Sequence, residues 1–311
     1  MAQICSGYSR VTFRVEVDSA LKAVAVQLIL RDSTTAAVEV SLSRLLRGVV
    51  PTPEVLFSDP SGTLVGVPAL VTCWIDGTPL DLAARSVPNE AAELGSAVGS
   101  TLVKLSEVTL PSPGWLVSSD LIPEPRERSL AEGIRSHVRA RLFDTEGGRS
   151  LPLRVRASFW RLVDVHVDDV GVLEGECSLV HGDFAGRNIV MRRRGGPWEV
   201  AAVLDWEFAY AGPSLVDVGH VLRSLLGCST NFAEQMITTM SELGGRVPPD
   251  WPRLAWLLDL VSLTGPLACP QGHPLREAAS RLIEESVSRN GNVPPWTVGS
   301  RSRSNRYLAT R

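Results

Sequence analysis

Hydrophobic and polar positions alternate from Val11 through Val17 in the stretch VTFRVEV, Asp18 and Ser19 supply turn residues, and the run 21–30 is again rich in β-branched and aliphatic side chains. Period two on both sides of a turn predicts a β-hairpin. The spacing then changes. Ala37, Val38, Leu42, Leu45 and Leu46 recur at helical intervals behind Ser33 and Thr34, and Gly48 and Pro51 end the run, which predicts a helix over 34–47. Two short strands are expected around the turn Asp59-Pro60-Ser61-Gly62, the second running out at Asp76-Gly77. Beyond residue 78 the period is mainly helical, over 90–105, 129–143 and 156–168, and again over roughly 214–227, 230–243, 253–264 and 275–287. One β island interrupts it, LVHGDF followed by NIVMRRRGGPWEVAAVLDW, with Gly195-Gly196-Pro197 as the hairpin turn.

A β-rich segment followed by an α-rich one predicts an α+β chain in two lobes, residues 1–76 and 77–287. The tail 288–311 carries five arginines and no acid, with Gly291, Pro294 and Pro295, and is expected to be disordered.

Composition narrows the function classes. Of the 311 residues 44% are hydrophobic, enough for a sizeable core. The charge, 31 basic against 34 acidic residues, lacks the basic footprint of a nucleic-acid binder. No apolar run approaches the roughly 18 residues of a membrane span, and the longest candidate, 21–30, contains Lys22 and Gln27. No charged segment followed by an apolar one opens the chain, so a cytoplasmic protein without nucleic-acid or membrane partners is expected. The five scattered cysteines have no C-x-x-C spacing and read as reduced thiols, and His137, His166, His220 and His273 lack metal-ligand spacing.

The informative segment is H-G-D-F-A-G-R-N, His181 to Asn188, with L-D-W at 204–206. A short loop between two strands can place the Asp183 carboxylate beside the Asn188 amide, and a hairpin of that length can return Asp205 to the same point. Phosphoryl transfer needs this trio, one carboxylate to accept the proton of the attacking hydroxyl and hard oxygen donors to hold Mg²⁺ against a triphosphate. H-G-D alone is a common turn tripeptide. The spacing to Asn188 and the L-D-W ending the next hairpin raise it above that reading. Arg187 is read as solvated, and Arg192-Arg193-Arg194 at the hairpin as a run facing water.

These residues resemble those of the aminoglycoside phosphotransferase and choline kinase group, small-molecule kinases with a bilobal protein-kinase-like fold. The similarity spans roughly 7–287 and is strongest in LVHGDFAGRNIV and AAVLDWEFAYAGPSLVDVGHVLR. It implies Asp183 as catalytic base, His181 as a brace of the catalytic loop, and Asn188 and Asp205 as magnesium ligands. Asp217 falls where the family keeps a buried acid supporting the loop; a helix N-terminal acid favoured by the dipole is the other reading.

The same resemblance assigns the nucleotide to the first lobe. Gly7-Tyr8-Ser9 is similar to the nucleotide-covering loop, Val24-Ala25-Val26-Gln27 to V-A-x-K of strand three, and Glu39 to the helix acid that pairs with that lysine. Val71 to Ile75 is similar to the inter-lobe hinge, where backbone groups of Cys73 and Ile75 would hold a purine; Trp74 is either a wall of that pocket or a core aromatic. Two departures stand out: Gln27 replaces the strand-three cation, and only six residues precede Gly7 where the family has a helix and a first strand. The expectation is a Mg²⁺- and ATP- or GTP-dependent kinase of a small-molecule hydroxyl, foremost an antibiotic (resistance or self-protection). Between Trp206 and Val287 nine acids face five arginines, which favours a cationic acceptor. A nucleotide-binding pseudokinase and a choline- or homoserine-type kinase are the alternatives.

Overall fold

The computed structural model describes residues 2–6, 9–18, 21–30, 33–125, 128–226 and 230–288. The period-two stretches form β2 (Arg10–Glu16) and β3 (Ala23–Ile29), the expected hairpin. With β1 (Ala2–Ser6), β4 (Val55–Asp59) and β5 (Ala69–Cys73) they build an antiparallel sheet in the order β1-β2-β3-β5-β4. The first strand that the short leader was expected to lack is therefore present: β1 pairs with β2 over Ala2–Ser6. Arg10 stands opposite Ile29 and Thr12 opposite Gln27. Side chains two apart share a sheet face, so Arg10 and Gln27 are diagonal neighbours on one side.

Helix α1 (Ser33–Leu45) crosses this sheet. Ala36 and Val40, one turn apart, pack with Ile29 and Leu70 in a small cluster, whereas Val38, Leu42 and Leu46 belong to the large core of the rest of the chain. Glu39 lies between these two apolar faces, which is why a charged residue becomes buried there.

The chain leaves the sheet through Gly77 and at once forms β6 (Thr78–Pro79), which pairs with β10 (Ile189–Arg193). β10 also pairs with β11 (Trp198–Val203), so the hairpin of the predicted β island is joined by the exit strand in a three-stranded sheet, whereas the island's opening Leu179-Val180 belongs to another sheet. Short helix α2 (Leu80–Ser86) follows, then α3 (Ala91–Glu107). A second small sheet, β8-β7-β12-β9, joins β7 (Gly114–Leu116), β8 (Pro123–Pro125), β9 (Ser178–Val180) and β12 (Tyr210–Gly212). Of these only β9 was expected, as the opening of the β island; the other three-residue strands carry too few alternations to be read from sequence.

The remaining α-helices are α4 (Leu130–Phe143), α5 (Glu146–Ser150), α6 (Leu153–His166), α7 (Leu215–Ser224), α8 (Thr230–Glu242), α9 (Trp251–Ser262) and α10 (Pro274–Ser288); all but the short α5 lie close to predicted segments. The sheet-rich first part and helical remainder make the expected α+β arrangement. Among the described residues no helix is long and apolar enough to cross a membrane. The tail from 289 onward, Gly7 and Tyr8 lie outside the described residues.

Gly77 sets how closely the exit strand docks on the hairpin. A Cβ there would lie 2.5 Å from Val190 Cγ1 and 2.6 Å from the Met191 carbonyl oxygen. Gly77→Ala is expected to destabilise the fold by about 1–3 kcal/mol through this overpacking. Urea denaturation checks it, and unchanged stability would mean that the exit strand yields freely.

Candidate active site

Strand β9 ends in the fully buried Leu179 and Val180, which fix where the next loop begins. Asp217, in the first turn of α7, holds that loop by its backbone. Its two oxygens accept from the N–H of His181 (2.7 Å) and of Gly182 (3.0 Å). Burial pushes the Asp217 carboxyl up to about 7, against two N–H donors that favour its ionised form. Gly182 has φ 79°, and any Cβ on it would run into the Phe208 carbonyl oxygen. Glycine is required there twice over.

His181 is fully buried. Its Nδ1 accepts from the Asp183 N–H (3.2 Å), so Nε2 carries the proton and donates to the Leu204 carbonyl (2.8 Å). Burial lowers its pKa and keeps it neutral. The ring thus ties the loop to the strand end just before Asp205 and reaches no solvent.

Hairpin register brings the other two residues together. Ile189 pairs with Val203, and the Leu204 N–H donates to the Asn188 carbonyl (2.8 Å), so Asn188 and Asp205 emerge side by side. Asn188 Nδ2 donates to the Asp183 carbonyl (2.9 Å) and to Asp183 Oδ2 (3.0 Å), which leaves its Oδ1 outside these bonds. Asp205 adopts the left-handed conformation (φ 63°, ψ 67°), an uncommon one for a non-glycine residue. Arg187 is exposed, as expected, and also pairs with Asp183 Oδ2. Two arginines of the 192–194 run, read as facing water, are paired: Arg192 bridges to Glu199 on β11, and Arg193 to Glu90 and Glu93 at the start of α3.

The sheet side of the cleft holds a residue that sequence reasoning missed. Arg10 Nη2 pairs with Glu39 Oε1 (2.6 Å) and Glu207 Oε2 (3.2 Å), and Nη1 with Glu39 Oε2 (3.0 Å), Gln27 Oε1 (3.2 Å) and Asp205 Oδ1 (3.4 Å). Burial opposes its charge, but the Glu39, Asp205 and Glu207 carboxylates more than offset that and raise its pKa. Burial likewise raises the pKa of Glu39, with Arg10 pulling it down. Ser9 Oγ donates to Glu207 Oε1 (2.8 Å), so the expected covering-loop serine is tied to the turn after Asp205. Gln27 and Glu39 also line one small pocket with Leu204, Asp205 and Trp206.

At the expected hinge the two residues differ. Cys73 donates its N–H to the Glu54 carbonyl (2.9 Å) within the sheet, so this N–H is not open to a purine. The N–H of Ile75 has no partner among the described residues. Trp74 is partly exposed, donates to Asp76 Oδ1 (3.0 Å) and carries Arg14 over its ring, so it is not a core aromatic.

Residues 1–257 match the phosphotransferase enzyme family. The chain belongs to that family. As one of its members it is a small-molecule kinase. Its fold is similar to that of a thermostable mutant of aminoglycoside phosphotransferase APH(4)-Ia in ternary complex with AMP-PNP and hygromycin B, with TM-score 0.66, 18% identity and 93% of each chain covered. It is also similar to an aminoglycoside 2″-phosphotransferase in complex with GDP and kanamycin (TM-score 0.68, 15% identity, 93% of each chain). A third similar structure is Plasmodium vivax ethanolamine kinase (TM-score 0.63, 12% identity, 91% of this chain and 81% of that one). No curated protein matches the chain.

The donor set fits magnesium carried by a nucleotide. Asn188 and Asp205 offer hard oxygens, and the described residues contain no cluster of three or more ligands that would hold a metal alone. Mg²⁺ is commonly held by one or two protein oxygens with phosphates and water completing its shell.

The raised pKa of Asp217 in this phosphotransferase has a stability consequence. Its value shifts from 3.8 to about 7, so between these the unfolded chain has released the proton while the fold retains it. Stability should fall as pH rises through that window. Asp217→Asn should flatten the fall in urea denaturation followed across it. An identical slope in the variant would show that Asp217 is not its source.

Proposed function

We propose that this phosphotransferase moves the γ-phosphate of ATP or GTP to a hydroxyl of an amine-bearing small molecule, foremost an aminoglycoside-type antibiotic. The carrying observation is the convergence of Asp183, Asn188 and Asp205 at the end of one hairpin. In this reading Asp183 is the general base. Asn188 and Arg187 both bind Oδ2 and so hold the carboxylate in place, leaving Oδ1 to take the proton of the attacking hydroxyl. Asn188 Oδ1 and the Asp205 carboxylate are the magnesium ligands; the ion, when bound, neutralises charge on the phosphates. His181 acts as a positioning residue through its bond to Leu204. Residues 1–76 serve as the nucleotide lobe and 77–287 as the catalytic and acceptor lobe, with the purine edge held by the Ile75 N–H and the Cys73 carbonyl.

Two observations favour a cationic acceptor. The segment 206–287 has nine acids against five arginines. The similar structures are named for aminoglycosides or ethanolamine, all amines that bear hydroxyls. Work in the cytoplasm agrees with nucleotide as cosubstrate.

Incubation with magnesium, ATP or GTP and a panel of kanamycin, hygromycin B, ethanolamine, choline and homoserine tests this by mass spectrometry. Gain of one phosphoryl group on an aminoglycoside is expected. Gain confined to ethanolamine, choline or homoserine would replace the antibiotic reading, and gain on none would overturn the acceptor class. Asp183→Ala should lower turnover by about two to four orders of magnitude with nucleotide affinity nearly intact; near-normal turnover would remove Asp183 as the base. Asp205→Ala should abolish magnesium-dependent nucleotide binding by calorimetry, and unaltered affinity would exclude it as a ligand.

A further inference from the structure

Strand three carries Gln27 where the family resemblance calls for a cation, yet the helix acid Glu39 is paired. Its partner comes from the neighbouring strand: Arg10 is the first residue of β2, diagonal to Gln27 on the same sheet face. Only 6% of its side chain is exposed, and it meets carboxylates from three separate parts of the chain, Glu39 (10% exposed), Glu207 (12%) and Asp205 (40%). A guanidinium needed only to neutralise Glu39 would be satisfied by the two-bond pair it makes there. Arg10 instead also presents Nη1 to Gln27 and to the cleft-facing carboxylate of Asp205. Its Nε, buried, has no partner among the described residues.

We propose that Arg10 supplies from β2 the phosphate-binding cation that Gln27 cannot supply from β3, with Glu39 as its fixed partner and Asp205 as the counterion it holds until nucleotide arrives. This rests on the phosphotransferase reading in which Asp205 faces magnesium. The argument is one of proximity and charge. Nη1 lies 3.4 Å from Asp205, so a triphosphate engaging Asp205 through magnesium brings its anionic oxygens to the edge of this guanidinium. Gln27 accepts from Nη1 and so orients the cation rather than replacing it. Lys22, exposed at the far end of the hairpin, is not placed for this contact.

Calorimetry tests the proposal with magnesium and AMP-PNP or GMP-PNP, whichever the wild type binds, and with the matching nucleoside. Arg10→Met alone strands Glu39, so the informative variant is Arg10→Met with Glu39→Gln, which removes both charges together. It should bind the triphosphate about tenfold or more weakly, the difference between a charge-assisted and a neutral bond, while nucleoside affinity is unchanged. Arg10→Met with Gln27→Lys, which returns the cation to β3 beside Glu39, should recover most of the loss. Wild-type affinity in the Arg10→Met, Glu39→Gln variant would show that Arg10 only neutralises Glu39 and would overturn the proposal. If these variants do not fold, nitrogen NMR of the Arg10 side chain in the wild type decides. A shift on adding triphosphate but not nucleoside supports the contact, and no shift overturns it. A wild type that binds no magnesium triphosphate at all refutes the phosphotransferase site instead.

Discussion

Three carboxylates brought into one crevice by different parts of the chain need a cation, and Arg10 is that cation. Glu39 arrives on α1, whose two apolar faces bury it; Asp205 and Glu207 arrive at the end of the β10–β11 hairpin. For the two nearly buried ones, Glu39 and Glu207, removing a buried partner costs about 3–5 kcal/mol. The guanidinium therefore joins the five-stranded sheet, helix α1 and the end of the β10–β11 hairpin in a single electrostatic contact. The bond from Ser9 to Glu207 adds a second tie between the same parts. The crevice still holds more negative than positive charge, a condition suited to a divalent ion.

On the other side of the cleft, geometry is held through the backbone. Asp217 grips the N–H groups of His181 and Gly182, and His181 reaches across to the Leu204 carbonyl. These bonds join α7, the loop and the hairpin, so Asp183, Asn188 and Asp205 are positioned by buried groups that touch no solvent. Asp205 keeps a left-handed backbone in this frame. The residues proposed to do the chemistry thus sit on loops whose freedom has been removed by neighbours in the core.

What the sequence disclosed and what it hid follow from distance along the chain. The β2–β3 hairpin was legible because its side chains alternate, and the closeness of Asp183, Asn188 and Asp205 because they lie in two neighbouring motifs that hairpin pairing brings together. Arg10 was not, since it heads a strand where an arginine reads as a solvent-facing residue and its partners are 29 and 197 positions away. The buried Glu39, set between apolar residues on both sides, was the one local sign that a cation had to be near. Arg193 escaped for the same reason, its partner Glu93 being 100 positions distant. At the expected hinge the occupied Cys73 N–H was not legible, because its partner Glu54 lies outside the segment read as hinge. The strands β7, β8 and β12 are too short to carry a period of their own.

The central claim is that Asn188 and Asp205 form a metal site completed by nucleotide phosphates. Electron paramagnetic resonance of Mn²⁺ in place of Mg²⁺ tests it most directly. The account predicts little manganese bound by the protein alone, one ion bound once ATP or GTP is added, and loss of that ion in Asp205→Ala. Tight manganese binding without nucleotide, or a nucleotide-dependent ion that survives Asp205→Ala, would contradict it.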